Sequence, residues 1–199
     1  ASIMGGTNPA VCMPSRAMLM TGRYLFRLEG EGSSIPPDHR TLPEVLRANG
    51  YRTHHVGKWH QDRDSFQRSF DGAARIFGFT KGWYEQYGGH WNVAVHDFDP
   101  IGEYAQENGY ILDGDGYTQL PIGTGVGGVH SSEMFADAAM DFLDGRATNK
   151  EKGDDPFFLY LSFVAPHDPR QSPNEFEEMY SSDTVGLPAN FMPNHPFDN

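Results

Sequence analysis

The stretch FFLYLSFV, residues 157–164, is apolar at every position except Ser162. It is short and lacks a 3.6-residue period, so it reads as a β-strand buried on both faces. Strands of that kind belong to parallel sheets, whose crossover helices cover both sides. Working outward, Phe135, Ala138, Ala139, Phe142 and Leu143 recur at i, i+3, i+4, i+7 and i+8. That spacing predicts a helix capped by Ser131 or Ser132 and closed by Gly145. A charged linker, ATNKEKGDD at 147–155, leads from it to the strand. Further upstream, Thr41-Leu42-Pro43-Glu44 has the form of a capping box, with Leu42, Val45 and Leu46 on one face before Asn49-Gly50. YRTHHVGKWH, residues 51–60, then reads as a strand running into a loop. Helices placed before such strands predict an α/β fold with a mainly parallel sheet flanked by helices.

A chain of 199 residues, 38% hydrophobic and 13% aromatic, has enough apolar surface for one core, so residues 1–199 are expected to form a single domain or part of one. The formal net charge of -12 argues against nucleic acid or an anionic membrane surface as partner, because phosphate binding needs a basic excess. No apolar run is long enough to span a membrane. One cysteine cannot form an internal disulfide, so cysteine usage says nothing of the redox compartment. Residues 78–128 are rich in Gly, Tyr, Asp and His with little period, and are expected to be an irregular insertion that walls a site or runs over the surface. Within them Asp113-Gly114-Asp115-Gly116 reads as a turn, since it lacks the remaining ligands of a calcium loop. The opening ASIMGGTNPAV and the ending NHPFDN are both abrupt, which leads us to expect an internal piece of a longer domain. Asp198 and Asn199 follow a proline-broken loop and make weak metal-ligand candidates.

In CMPSRAMLMTG, residues 12–22, Pro14 suits a first helical turn and Gly22 a C-terminal stop. Cys12 then faces unpaired N–H groups and the positive end of the helix dipole, with Arg16 one turn on and able to lean over it. From the residues alone this is either a pocket built for negative charge or a small buried hydrophobe. Strand alternation would set Lys58 and His60 on one side and Trp59 on the other. A fixed cation beside a titratable imidazole suits an anionic substrate whose leaving group needs a proton; a solvated lysine and a surface histidine fit the pattern as well. His54 and His55 read as packing or surface residues. His167, in APHDP, falls beyond the carboxyl end of the 157–164 strand, where open α/β sheets place ligands, although an inert loop histidine reads the same way.

Taken together these stretches resemble the sulfatases of the alkaline phosphatase superfamily. CMPSRAMLMTG is similar to the family's first signature, Cys-x-Pro-Ser-Arg followed by Thr-Gly. GYRTHHVGKWH, at 50–60, is similar to the second, and PFFLYLSFVAPHDP, at 156–169, to a third block. The resemblance implies an alkaline-phosphatase/sulfatase-like fold, incomplete at both ends over residues 1–199. It implies that Cys12 is oxidised to formylglycine by a formylglycine-generating or anaerobic maturation enzyme, which recognises Pro14 and Arg16. The hydrated aldehyde would attack the sulfur of a sulfate ester through one hydroxyl, and loss of the proton from the other would release sulfate. By the same resemblance Arg16 would hold the diol, Lys58 would bridge diol and sulfate, His60 would assist release, and His167 would bind sulfate or protonate the leaving oxygen.

The family also uses a divalent metal, usually Ca2+, with Cys12 as formylglycine among its ligands. An acidic pair is expected upstream, but residues 1–11 contain no Asp or Glu, and neither the later acidic ligand nor a second lysine is evident, so the remaining ligands are expected outside this chain and the separate piece is expected to be inactive. The implied function is hydrolysis of sulfate esters. A phosphonate or phosphate ester hydrolase of the same superfamily and a non-catalytic degenerate homologue are the alternatives. Trp83, Tyr84, Tyr87, His90, Trp91 and His96 suit sugar faces, although such rings fill cores more often than they line glycan sites, and they tilt the expected substrate only slightly from a sulfated small molecule toward a sulfated carbohydrate. Family analogy places the protein in the periplasm or outside the cell.

Overall fold

The computed structural model describes residues 11–28, 32, 34–77, 96–98, 117–119, 130–148, 155–167 and 172–194. The described elements are α1 (Cys12–Thr21), a 3-10 turn (Leu25–Arg27), α2 (Leu42–Arg47), β1 (Arg52–Lys58), α3 (Arg63–Ser69), β2 (Gly72–Phe77), β3 (His96–Phe98), β4 (Tyr117–Gln119), α4 (Ser131–Thr148), β5 (Phe157–Ser162) and α5 (Asn174–Glu177). The chain divides into two compact units, Ala1–Val164 and Ala165–Asn199.

In the first unit the sheet order is β4-β3-β2-β1-β5. β1 pairs in parallel with β2 and with β5, as the apolar run at 157–164 predicts. β3 and β4 add an antiparallel edge beyond β2. They are the described part of region 78–128; the rest of it, including the Asp113–Gly116 turn and five of the six ring residues from Trp83 to His96, lies outside the described residues, as do Asp198 and Asn199.

Alternation along the strands feeds two cores. His55, Phe158 and Tyr160 face a cluster built on Ala17 and Met20 of α1, Trp59, Phe66 of α3 and Phe70. Val56, Leu159 and Leu161 face Phe135, Ala138 and Ala139 of α4 on the other side. Helices therefore cover both faces, which is what a mainly parallel sheet requires. β5 itself departs from the expected full burial: Phe157 is 42% exposed and the next four residues are half-buried. Among the described residues β5 has one strand partner and lies at the sheet edge, so part of its surface stays uncovered.

Two helix expectations need correction. α4 is capped by His130 rather than by Ser131 or Ser132: His130 Nδ1 accepts from Ser132 N at 3.2 Å, and its carbonyl takes the Glu133 and Met134 amides. The helix also runs through Gly145 to Thr148, into the expected linker. Its last turn is tied down because the Arg146 guanidinium lies 4.8 Å from the Phe157 ring centre and donates to Asp155 O. α2 has the predicted capping box, but Leu42 and Val45 are exposed and Pro43 is the buried residue. The polar side of that helix is the one held inward. Glu44 Oε2 accepts from Arg68 Nη1 at 2.6 Å, and Thr41 Oγ1 meets Ser69 Oγ at 2.7 Å.

Gly57 explains how β1 and β5 come close at their carboxyl ends. It has φ +95°, and a Cβ there would lie 2.1 Å from Ser162 O. Only glycine fits, and the β1–β2 register shifts at the same point. The second unit contains the one-turn helix α5 and a succession of turns to residue 194.

Candidate active site

α1 begins at Cys12, with Val11 as an N-cap residue that offers no side-chain oxygen to the first-turn amides. Gly22 ends the helix in the left-handed conformation, its N–H donating to Met18 O. Cys12 thus occupies the positive end of a ten-residue helix, half-buried, as the proline and glycine spacing predicts.

Two groups from the end of β1 converge on its sulfur. His60 Nδ1 lies 3.2 Å from Cys12 Sγ, and Lys58 Nζ donates to it at 3.8 Å. The predicted grouping holds, but its cause is not strand alternation. β1 stops at Lys58, and His60 takes φ +63°, a left-handed turn that swings its ring back toward the lysine side. Trp59 goes the other way, fully buried, with Nε1 donating to Asp62 O at 3.0 Å.

Arg16 is a correction. Rather than leaning over Cys12, its described hydrogen bonds run to the sheet: Nη1 donates to Lys58 O at 2.7 Å, to Tyr160 OH at 3.3 Å and to Ser162 Oγ. One helical turn brings this side chain over the carboxyl ends of β1 and β5, where those oxygens await a donor. Tyr160 and Ser162 were not singled out from sequence, although a hydroxyl in an otherwise apolar strand was the available signal. Gln61 was also missed; it is fully buried and its Nε2 donates to Met13 O. His167 belongs to the second unit, half-buried in a bend just after Pro166.

Lys58 is 3% exposed, and burial lowers its pKa below the usual lysine value. The Cys12 sulfur opposes that shift and the Arg16 guanidinium adds to it. The site thus concentrates positive charge at a helix N-terminus, an arrangement that favours an anion there. His55 is a packing residue, as expected: it is fully buried among Trp59, Phe66, Phe70 and Tyr160 at centroid distances of 5.2–5.8 Å. Burial, with His54 next to it, pushes its pKa down to about 3. The Lys58 backbone opposes that shift, yet neither His55 nitrogen is in hydrogen-bonding geometry with a described residue. His54 stacks on Phe142 and is lowered to about 4, by burial first and then by Arg52.

A divalent cation is poorly served by the described residues. They contain no group of three or more His, Cys, Asp or Glu side chains able to hold one, and the groups against Cys12 are an ammonium and an imidazole.

The sulfatase family's sequence profile matches residues 6–189. The chain belongs to the sulfatase family. It is 29% identical to arylsulfatase J of Mus musculus, over 86% of this chain and 27% of that protein. It is 27% identical to an ulvan-active sulfatase of Formosa agariphila, over 92% of this chain and 32% of that one. The fold is similar to that of BT4656, solved in complex with its substrate D-glucosamine-2-N,6-O-disulfate, with a TM-score of 0.59 at 21% identity, over 91% of this chain and 30% of the other. The sheet and helices are those of a sulfatase of the alkaline-phosphatase-like fold, as the motifs implied. The chain spans about a third or less of the length of these relatives.

Proposed function

We propose that this chain carries the nucleophile of a sulfuric ester hydrolase, with Cys12 converted to formylglycine by a dedicated maturation enzyme that recognises Pro14 and Arg16. The convergence of Lys58 Nζ and His60 Nδ1 on Cys12 Sγ is the observation that carries this reading. A hydrated aldehyde at position 12 supplies two hydroxyls on one carbon, one to displace the alcohol and one whose deprotonation frees the enzyme.

Lys58 neutralises the anionic sulfuryl oxygens as charge builds on them, an effect enlarged by its burial. His60 accepts the proton that must leave position 12 before sulfate can depart. Arg16 acts from behind: by holding Lys58 O and the β5 hydroxyls it fixes where the lysine stem emerges, and its charge adds to the field. His167 is proposed to meet the sulfate or the leaving oxygen. Calcium, the family's usual metal, is proposed as the cofactor, with position 12 as the ligand this chain offers it.

The substrate class we favour is a sulfated carbohydrate, supported by the ulvan-active relative and the ring-rich stretch from Trp83 to His96. A periplasmic or secreted location goes with such a substrate; among the described residues no helix is long and apolar enough to cross a membrane. Turnover of matched aryl sulfate and aryl phosphate esters by the whole protein is the test. Preference for the sulfate ester is expected, and a strong preference for phosphorus would overturn the assignment in favour of a phosphate or phosphonate ester hydrolase.

A further inference from the structure

We infer that Gln61 is a positioning residue for His60, a role that rests on the reading of Cys12 and His60 given above. Gln61 is fully buried, and its Nε2 donates to the carbonyl of Met13. Two consecutive residues of one segment therefore meet two consecutive residues of another: His60 meets Cys12, and Gln61 meets Met13. The pair of contacts sets the register between the first turn of α1 and the turn that leaves β1.

His60 needs such a constraint, because a non-glycine residue at φ +63° occupies a conformation that persists only when its surroundings impose it. The far side of the turn is fixed by other means. Trp59 Nε1 donates to Asp62 O, while the Asp62 carboxylate caps α3 through Ser65 N at 2.7 Å and accepts from Ile35 N at 2.9 Å. The near side is tied to the α1 backbone by Gln61. Its length spans the gap, and an amide is the group that can donate to a carbonyl without bringing a charge into the core. A leucine or methionine of similar volume keeps the packing and loses the tie. A glutamate keeps the shape but sets carboxylate oxygens against the Met13 carbonyl. Gln61 touches no reacting atom in this arrangement; it acts through His60.

The test compares Gln61→Met with the wild type in the whole protein, using NMR chemical shifts of the His60 ring and its NOE contacts to position 12, kcat and KM on an aryl sulfate, thermal midpoint, and conversion of Cys12 by mass spectrometry. We expect normal conversion, displaced His60 ring resonances with weakened contacts to position 12, and kcat lowered by about 10²-fold with KM little changed, as for a misplaced catalytic group. His60 ring resonances and contacts that coincide with the wild type would overturn the inference, whatever the thermal midpoint does. If Gln61→Met folds poorly, Gln61→Leu provides the same comparison. The imidazole readout does not depend on turnover. A wild-type protein that hydrolyses no sulfate ester would therefore count against the proposed function, while the His60 comparison would still decide the role of Gln61.

Discussion

Lys58 shows how a single side chain can be kept for its charge at a cost to the fold. Its ammonium is nearly inaccessible, and the lowered pKa means that the folded protein disfavours the charged form. Replacing it by methionine keeps the stem and removes the charge. Lys58→Met is expected to lower kcat on a sulfate ester by about 10²–10³-fold, the loss typical of one preorganised donor to a developing oxyanion. Thermal denaturation of the same variant is expected to show an unchanged or raised midpoint. Loss of activity together with loss of the fold would instead mark Lys58 as structural. The pH profile follows from the same shift. The protonated lysine is present below its pKa and lost above it, so a lowered pKa brings the alkaline fall in activity to a lower pH than an ordinary lysine would give. Steady-state rates across the alkaline range check this.

At the scale of elements, β1 does most of the positioning, through a glycine, the fully buried His55 and the half-buried His54. Gly57→Ala would set a methyl group against Ser162 O at a positive φ, and is expected to destabilise the protein by about 3 kcal/mol, read from denaturant unfolding. The histidines make β1 acid-sensitive. The folded-state pKa values of His54 and His55, about 4 and about 3, lie below the unfolded value of 6.5, so between those limits the unfolded chain binds more protons. Stability is therefore fully present above pH 6.5 and falls as pH drops toward 3, by on the order of several kcal/mol for the two together. Among the described residues the groups around His55 are aromatic rings and the Lys58 backbone, with His54 and Arg16 as its charged or titratable neighbours. His55→Leu is expected to move the acid unfolding midpoint to lower pH, monitored by circular dichroism; an unmoved midpoint would mean that His55 is not what acid attacks.

For the whole molecule, what could be read from sequence depended on how local the cause was. The run at 157–164 gave the parallel sheet, because apolar side chains on both faces leave no polar period, even though β5 at the sheet edge is only half-buried. Pro14 and Gly22 gave the ends of α1, because backbone geometry at caps is a nearest-neighbour matter. The capping box at Thr41 was legible for the same reason, whereas the inward side of α2 was not, since it is set by Arg68 and Ser69 on another helix. Lys58 and His60 do share one side, but through the left-handed turn at His60, which leaves no pattern in the sequence. Arg16 was drawn to oxygens on β5, more than a hundred residues away, which helix-face reasoning cannot see. The three-residue strands β3 and β4 carry too little period to be found.

A site that gathers cationic groups in this way should bind the product anion. Inorganic sulfate is expected to raise the thermal midpoint of the wild type and to leave that of Lys58→Met unchanged, since a ligand held only by the folded state stabilises it by mass action. All of this converges on position 12, and the decisive measurement is peptide mass spectrometry of that residue, in the whole protein made alongside the converting enzyme and then assayed on an aryl sulfate. An aldehyde in place of the thiol, accompanied by sulfate ester hydrolysis that Cys12→Ala abolishes, is the predicted result. An intact thiol in a protein that turns over no sulfate ester would contradict it.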